Sequence, residues 1–166
     1  MRNLDTMDKI QLFIQIQNEL ERVFESARAA AQRAYDTATD EENEAENKYD
    51  TLGLEASYLA HGQSKRVAEC ESDCIQFNKF QLAEFSDEDP ISIGALVCIE
   101  DASGTERYLL LSPVAGGLSI RFEGIVITLI TMSSPIGRSL LNHVVGDDIE
   151  VELSKVKKQF QISAIY

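Results

Sequence analysis

The sequence has no tryptophan, two histidines, three cysteines and three prolines. Basic residues are also scarce, since 15 lysines and arginines face 28 acidic residues and leave a net charge of −13. Binding to phosphates depends on clustered lysine and arginine, so this balance disfavours a general nucleic-acid-binding surface. An acidic protein is better suited to a basic protein surface or to a cation.

Long hydrophobic runs are absent too. The apolar stretch IQLFIQI is short and interrupted by glutamine, so we expect neither a signal peptide nor a transmembrane span. The odd number of cysteines argues against a secreted disulfide scaffold. These features predict a cytoplasmic protein without membrane contact, and a hydrophobic content of 44% is enough for a globular core.

Few residues suggest catalysis or a resident metal. His61 and His143 lie in different halves of the chain, and neither has ligand spacing to a cysteine or to the other histidine. Cys70 and Cys74 would share a helix face, but two thiols do not complete a tetrahedral zinc site. We therefore predict structural roles for the cysteines. Phosphate-binding glycine motifs and the nucleophile motif G-x-S-x-G are absent.

The first half has the pattern of two helices. No glycine or proline occurs in residues 1–52, so nothing interrupts a helix there. Apolar and small residues recur at alternating steps of three and four, as in a coiled coil: Phe13, Ile16, Leu20, Val23, Ala27, Ala30 and Ala34. A weaker series follows: Ala45, Tyr49, Leu52, Ala56, Leu59, Gln63, Arg66 and Cys70. The two stripes predict an antiparallel hairpin over residues 1–77, because each helix can bury its stripe against the other.

The second half has the pattern of a small α+β domain. Residues 78–90 are predicted to be an acidic linker that ends in Pro90. Six β-rich runs follow, and turn-forming groups separate them. The runs are ALVCIED, RYLLLSP, LSIRFEG, IVITLITM, DIEVEL and QFQISAIY. A short helix is predicted at 135–142, with Ser134 as its N-cap and Pro135 in its first turn. The predicted fold class is therefore α+β, with a mostly antiparallel sheet over residues 91–166.

The stretch ATDEENEAENKYD, residues 38–50, has five carboxylates within seven residues and no basic residue among them. Such runs are usually solvated loops. Carboxylates also suit Mg²⁺, which usually takes one or two of them and keeps water or phosphate in its remaining positions. A hairpin turn near residues 40–44 would gather the acids at one end of the hairpin. With no pocket and no base beside them, they could complete another protein's active site but not form one.

The stretch SSPIGRSLLNHVVGDDIEVEL, residues 133–153, resembles the signature of the bacterial GreA/GreB transcript-cleavage factors. That signature combines Ser-Pro, a short helix that ends in Leu-Leu, and Gly-Asp before a β-strand. Here these are Ser134-Pro135, Leu140-Leu141 and Gly146-Asp147. Upstream, IGALVCIEDASGTERYLLLSP resembles the first two strands of the family. The resemblance covers about residues 91–166, while the first half resembles the family only in its architecture.

The resemblance implies an FKBP-like C-terminal domain that docks on a coiled coil at the rim of the secondary channel of RNA polymerase. Docking would use the loop around Ser-Pro, here Ser133, Ser134, Pro135 and Arg138. The hairpin then enters the channel, and its acidic tip helps to hold the second catalytic Mg²⁺, so that polymerase cleaves its own backtracked RNA. The implied protein is a monomeric elongation factor without a cofactor of its own. It is an accessory factor and not an enzyme, and it makes no sequence-specific contact with nucleic acid.

The acidic tip departs from the family pattern, which is similar to D-x-x-E-N-A-E-Y and has two functional acids three residues apart. Asn43 lies three residues after Asp40, whereas Glu44 lies three residues after Glu41. Counting back from the tyrosine selects Glu42 instead. The predicted functional acids, which act in trans and share the Mg²⁺ of polymerase, are Asp40, Glu41 and Glu44, with Glu42 as an alternate.

Three alternatives to transcript cleavage stay open. An altered, very acidic tip also suits relatives that enter the channel and inhibit polymerase without cleavage, and Ser133 stands where the family often has an aspartate. An FKBP-like domain suggests prolyl isomerisation, but those pockets rely on an aromatic floor that is often tryptophan, and fold analogy is a weak guide to function. A binding-only adaptor would be favoured by exposed apolar residues on the outer face of the hairpin.

Overall fold

The computed structural model of the protein describes residues 8–39, 52–81, 83–153 and 155–166. Two long helices come first, α1 (Lys9–Thr39) and α2 (Leu52–Lys79). Phe13, near the start of α1, stacks on Phe77, near the end of α2, with ring centroids 4.8 Å apart. The predicted antiparallel pair of helices is therefore confirmed.

The buried stripe of α1 follows the predicted steps of three and four. Its buried and half-buried residues are Leu12, Ile16, Leu20, Val23, Ala27, Ala30 and Ala34. Phe13 is half-buried beside this stripe, and Leu12 is the fully buried residue at its start.

The buried stripe of α2 includes Ala56, Gln63 and Cys70, as predicted, but it differs from the predicted stripe at the positions between them. It consists of Gly53, Ala56, Ala60, Gln63, Val67, Cys70, Cys74 and Phe77. Leu59 and Arg66, which were predicted for the stripe, are exposed, and Leu59 is exposed by 56%. At these two places the observed stripe has Ala60 and Val67, both half-buried, and it leaves the charged Arg66 in water.

The chain divides into two compact units. The first unit joins the described residues up to Ile16 with Gln76–Tyr166, and the second is Gln17–Ile75. Within the first unit, Gln15 Nε2 donates a 2.8 Å hydrogen bond to the carbonyl oxygen of Arg121. The boundaries proposed from the sequence, at residues 77 and 90, stay a prediction.

The second half forms a six-stranded sheet with one short helix. Its elements are β1 (Leu96–Asp101), β2 (Glu106–Leu111), β3 (Ser119–Phe122), β4 (Ile125–Ile130), α3 (Pro135–Leu140), β5 (Asp148–Leu153) and β6 (Val156–Ile165). The strand order is β3-β4-β2-β1-β6-β5. Strands β2 and β4 pair in parallel, and the other neighbouring strands pair antiparallel. The α+β class and the mostly antiparallel sheet are confirmed.

A hydrophobic core joins the sheet to α3. Its buried residues are Ile91, Ala95, Val97, Ile99, Leu109, Leu111, Ile130, Leu140, Ile149, Val151, Phe160, Ile162 and Ile165. Leu140 is the member that α3 contributes, so α3 is anchored to β5 and β6 by apolar contacts. This packing fixes the position of the loop that precedes α3.

Neither α1 nor α2 has a stretch that is both long enough and apolar enough to cross a membrane, and the same holds for the shorter helix among the described residues.

Candidate functional site

The acidic tip predicted from the sequence falls outside the described residues. Asp40, Glu41, Glu42 and Glu44 lie in the sequence between the end of α1 and the start of α2, and their role stays a prediction. Within the four described ranges, no group of three or more histidine, cysteine or carboxylate side chains is arranged to hold a metal ion.

The loop predicted to dock, residues 133–138 (the docking loop), is ordered by the cap of α3. The backbone of Ser134 is extended, and its Oγ accepts a 3.0 Å hydrogen bond from the backbone N–H of Gly137. The same hydroxyl donates a 2.7 Å hydrogen bond to the carbonyl oxygen of Thr131. Pro135 follows in the first turn, where its missing N–H leaves no helical hydrogen bond unmade. Ser134 therefore shapes the docking loop through hydrogen bonds inside the protein.

Gly137 is required at its position by close packing. A Cβ on Gly137 would lie 2.1 Å from the carbonyl oxygen of Thr131 and 2.9 Å from Ser134 Oγ. No side chain larger than hydrogen fits unless the backbone moves. The glycine therefore lets α3 start directly against the end of the preceding strand.

The exposed side chains of the docking loop are Ser133, Pro135 and Arg138. Arg138 Nη1 donates a hydrogen bond to the carbonyl oxygen of Ser133, and Ser133 Oγ lies 3.0 Å from Thr131 Oγ1. The four predicted docking residues thus lie on one short segment, and their role in docking stays a prediction. Such a surface of a hydroxyl, a proline ring and a guanidinium group is suited to binding and has no nucleophile paired with a base.

A second set of contacts holds the segment that follows α3. Asp147 Oδ2 accepts a 3.1 Å hydrogen bond from the backbone N–H of Val144. The same oxygen lies 2.9 Å from His143 Nδ1. The N–H of Val144 and, secondarily, the ring of His143 hold the pKa of Asp147 below its ordinary value. The carbonyl oxygen of His143 also accepts a 2.8 Å hydrogen bond from the N–H of Ile91. These contacts fix the C-terminal end of α3.

The sequence analysis missed the partner of His143 and the need for Gly137. The spacing of four residues between His143 and Asp147 could have indicated the first contact. The second depends on the turn at residues 131–134, in which the N–H of Ser134 donates a 3.0 Å hydrogen bond to the carbonyl oxygen of Thr131, the atom that a Cβ on Gly137 would meet.

The surroundings of the cysteines disfavour thiol reactivity. Cys70, Cys74 and Cys98 are free thiols, and Cys70 and Cys98 are buried. Burial raises the pKa of the Cys74 thiol and of the Cys98 thiol, which disfavours the reactive thiolate. These surroundings agree with the structural roles predicted from the sequence.

Residues 86–166 match the family described as "Transcription elongation factor, GreA/GreB, C-term". The transcription elongation factor GreA of Nitratidesulfovibrio vulgaris (strain Miyazaki F) is 31% identical over 153 residues, which cover 90% of this chain and 88% of that protein. The transcription inhibitor protein Gfh1 of Thermus aquaticus is 28% identical over 158 residues, which cover 94% of this chain and 90% of that protein.

The solved structure of one relative is also similar to this chain. The crystal structure of Thermus aquaticus Gfh1 is 26% identical, covers 90% of this chain and 92% of that one, and has a TM-score of 0.38. The likeness in sequence to GreA runs through the helices as well as the sheet. This chain therefore belongs to the GreA/GreB family of transcription elongation factors.

Proposed function

We propose that this protein binds RNA polymerase at the rim of its secondary channel and stimulates cleavage of backtracked RNA. Docking uses Ser133, Ser134, Pro135 and Arg138 on the docking loop. The hairpin of α1 and α2 enters the channel, where the acidic tip acts beside the catalytic Mg²⁺ of polymerase. The proposal rests on family membership and on the chemistry of the tip.

The observation that supports this proposal best is the paired stripe of α1 and α2. At 1.5 Å per residue, a helix of 31 residues such as α1 is about 46 Å long. The second helix has 28 residues, and its stripe runs with the same steps of three and four. The only chain between them is residues 40–51, so the acids belong to the connection between two long paired helices.

The proposed chemistry of the tip follows from its oxygen ligands. Asp40, Glu41 and Glu44 are the acids proposed to act, and Glu42 is the alternate. Carboxylates are ligands that Mg²⁺ prefers, and a metal ion so held activates a water molecule and neutralises a phosphoryl group. Because polymerase supplies the metal and the substrate, the protein acts as an accessory factor of its partner's active site.

Inhibition of polymerase without cleavage is a second candidate function. The relative named transcription inhibitor protein Gfh1 covers 94% of this chain at 28% identity, close to the likeness to GreA. The spacing of acids in the tip also departs from the family pattern. An inhibitor would use the same docking loop and the same hairpin.

A binding-only adaptor is a third candidate, supported by apolar residues exposed on the two helices. Tyr35, Leu54, Tyr58 and Leu59 are each more than half exposed, and Ile10 is exposed by 69%. In this case the hairpin would pair with another helical protein, and the tip acids would be dispensable.

A cleavage assay on stalled RNA polymerase complexes distinguishes the three functions. The wild-type protein is added to complexes with labelled RNA, and shortened 3′ ends are measured beside the rate of elongation. The tip variant carries Asp40→Asn, Glu41→Gln and Glu44→Gln, and the control variant Glu71→Gln changes an exposed acid of α2. Cleavage that is lost in the tip variant alone supports the proposal.

Other outcomes of the assay contradict cleavage stimulation. Slower elongation without shortened RNA assigns the protein to the inhibitors. Absence of binding to polymerase removes both channel functions and leaves the adaptor.

A further inference from the structure

An open cleft of about 510 Å³ borders the docking loop. One wall is α3, which contributes Pro135, Arg138 and Ser139. The other wall is the end of the β5–β6 hairpin, which contributes Glu152 and Lys155. The family signature ends at residue 153, so Lys155 lies beyond the residues that pointed to docking.

Both walls of the cleft are held in place by hydrogen bonds. Ser139 Oγ makes hydrogen bonds to the carbonyl oxygens of Pro135, at 3.0 Å, and of Glu150, at 3.2 Å, and so ties α3 to β5. On the other wall, Leu153 pairs with Val156 across the hairpin. Lys155 lies in the turn with a φ of 67°, a left-handed conformation that keeps the turn tight. These contacts hold α3 against β5 and bring the ends of β5 and β6 together.

The cleft has an excess of positive charge in a strongly acidic protein. Two cations, Arg138 and Lys155, line it together with one carboxylate, Glu152. Arg138 uses one N–H group on the carbonyl oxygen of Ser133, and a guanidinium group has five such donors. Lys155 is exposed, and in the part of the chain that the structure describes no ion pair within 4.0 Å includes it.

Two residues after Lys155, another lysine of the hairpin is engaged in an ion pair. Lys157, two residues later, donates a 2.7 Å hydrogen bond to Glu150 on the adjacent strand. Lys157 is thus engaged within the hairpin, and Lys155 is the lysine that lines the cleft. The net charge of the chain is −13, so two cations in one cleft are a local exception. Their charge favours binding of an acidic group of a partner.

We propose that this cleft receives an acidic side chain of the protein on which the docking loop docks. Arg138 binds the carboxylate from α3, and Lys155 binds it from the β5–β6 turn. This inference rests on the proposed binding to RNA polymerase and adds Lys155 as a residue that determines affinity for that partner. The occupant is an aspartate or glutamate on the polymerase surface at the docking position.

The test compares two charge reversals that change the net charge equally. Lys155→Glu alters the cleft, and Lys158→Glu alters an exposed lysine of β6 that does not line it. Binding of each full-length variant to core RNA polymerase is measured by fluorescence anisotropy at about 50 and 200 mM salt, concentrations over which screening of exposed charges changes markedly. We expect Kd to rise about 3- to 10-fold for Lys155→Glu and less than about 2-fold for Lys158→Glu.

Salt provides a second readout. The Kd of the wild-type protein rises with salt, and the rise is smaller for Lys155→Glu because one ion pair has been lost. Thermal unfolding of both variants by circular dichroism identifies any loss of structure, and Lys155→Gln, which removes the charge without reversing it, is expected to give an intermediate Kd.

A third variant separates failure of this inference from failure of the proposed function. Ser133→Arg places a bulky group on the docking loop at a residue that does not line the cleft. If Ser133→Arg weakens binding and Lys155→Glu matches Lys158→Glu, polymerase binding stands and the acidic occupant is refuted. If the wild-type protein does not bind polymerase, both are refuted.

Discussion

Replacing Gly137 by alanine is expected to destabilise the sheet domain, because the new methyl group has no space. Its Cβ would lie 2.1 Å from the carbonyl oxygen of Thr131 and 2.9 Å from the carbonyl carbon. Carbon atoms in contact normally lie about 3.5–4.0 Å from their neighbours. Both atoms of Thr131 belong to the backbone, so the clash can be relieved only by moving α3 away from the end of β4.

The expected loss has two parts. Forcing a methyl group into a filled site typically costs about 1–3 kcal/mol. Moving α3 also lengthens the 3.0 Å hydrogen bond between the N–H of Gly137 and Ser134 Oγ, and loss of such a cap costs about 0.5–2 kcal/mol. We therefore expect Gly137→Ala to lower the free energy of unfolding by about 1.5–5 kcal/mol.

Urea denaturation followed by circular dichroism measures this change, and Gly62→Ala is its matched control. Gly62 lies in α2, and a Cβ there would meet no atom within 4 Å. The same substitution at that position should stabilise the helix by about 0.5–1 kcal/mol, because alanine favours a helix more than glycine. Equal unfolding midpoints for Gly137→Ala and the wild-type protein would refute the packing argument.

Further predictions concern Asp147, Ile16 of α1 and Leu59 of α2. The pKa of Asp147 is lower in the folded chain than its ordinary value, so its contribution to stability is present above the unfolded pKa of about 4 and is lost as the pH falls through the folded value. Asp147→Asn should therefore be less stable than the wild-type protein at pH 7 in urea denaturation, and the difference should shrink towards pH 3; a difference that does not depend on pH would contradict the assignment. Ile16 is fully buried in the α1 stripe, so Ile16→Ala should cost about 2–5 kcal/mol. Leu59→Ala, at an exposed position, should change the free energy of unfolding by less than about 0.5 kcal/mol, and a larger loss would restore the phase first predicted for α2.

The sequence was sufficient to predict most of the fold, because the main elements have strong local signals. The stripe of α1 has apolar residues at helical steps without an interruption, and all six strands were located from β-rich runs between turn residues. The cap of α3 was also predictable, since Ser134 and Pro135 are the residue types that such a helix start prefers.

Features that depend on tertiary contacts were not predictable in the same way. Two positions of the α2 stripe, Leu59 and Arg66, are predicted wrongly, because Leu59 and Val67 fit competing stripes and only burial decides between them. Strand β6 begins at Val156, three residues before the predicted run QFQISAIY, because its first residue pairs with Leu153. The parallel pairing of β2 and β4 likewise has no local signal.

The candidate site was predictable only in part. Ser133, Ser134, Pro135 and Arg138 are predicted to dock through a resemblance to a family, and that role stays a prediction. Lys155 lies 17 residues after Arg138 in the sequence, so their shared cleft depends on how β5 and β6 fold back.

The alanines of the α1 stripe set a gradient in how firmly that helix is held. Leu20 and Val23 give way to Ala27, Ala30 and Ala34, and each alanine removes much less apolar surface from water than leucine does. Backbone amides of α1 should therefore exchange with deuterium progressively faster towards Thr39, because local opening becomes easier. The end of α1 with the smallest stripe residues is thus also the end at which we expect local opening to be most frequent.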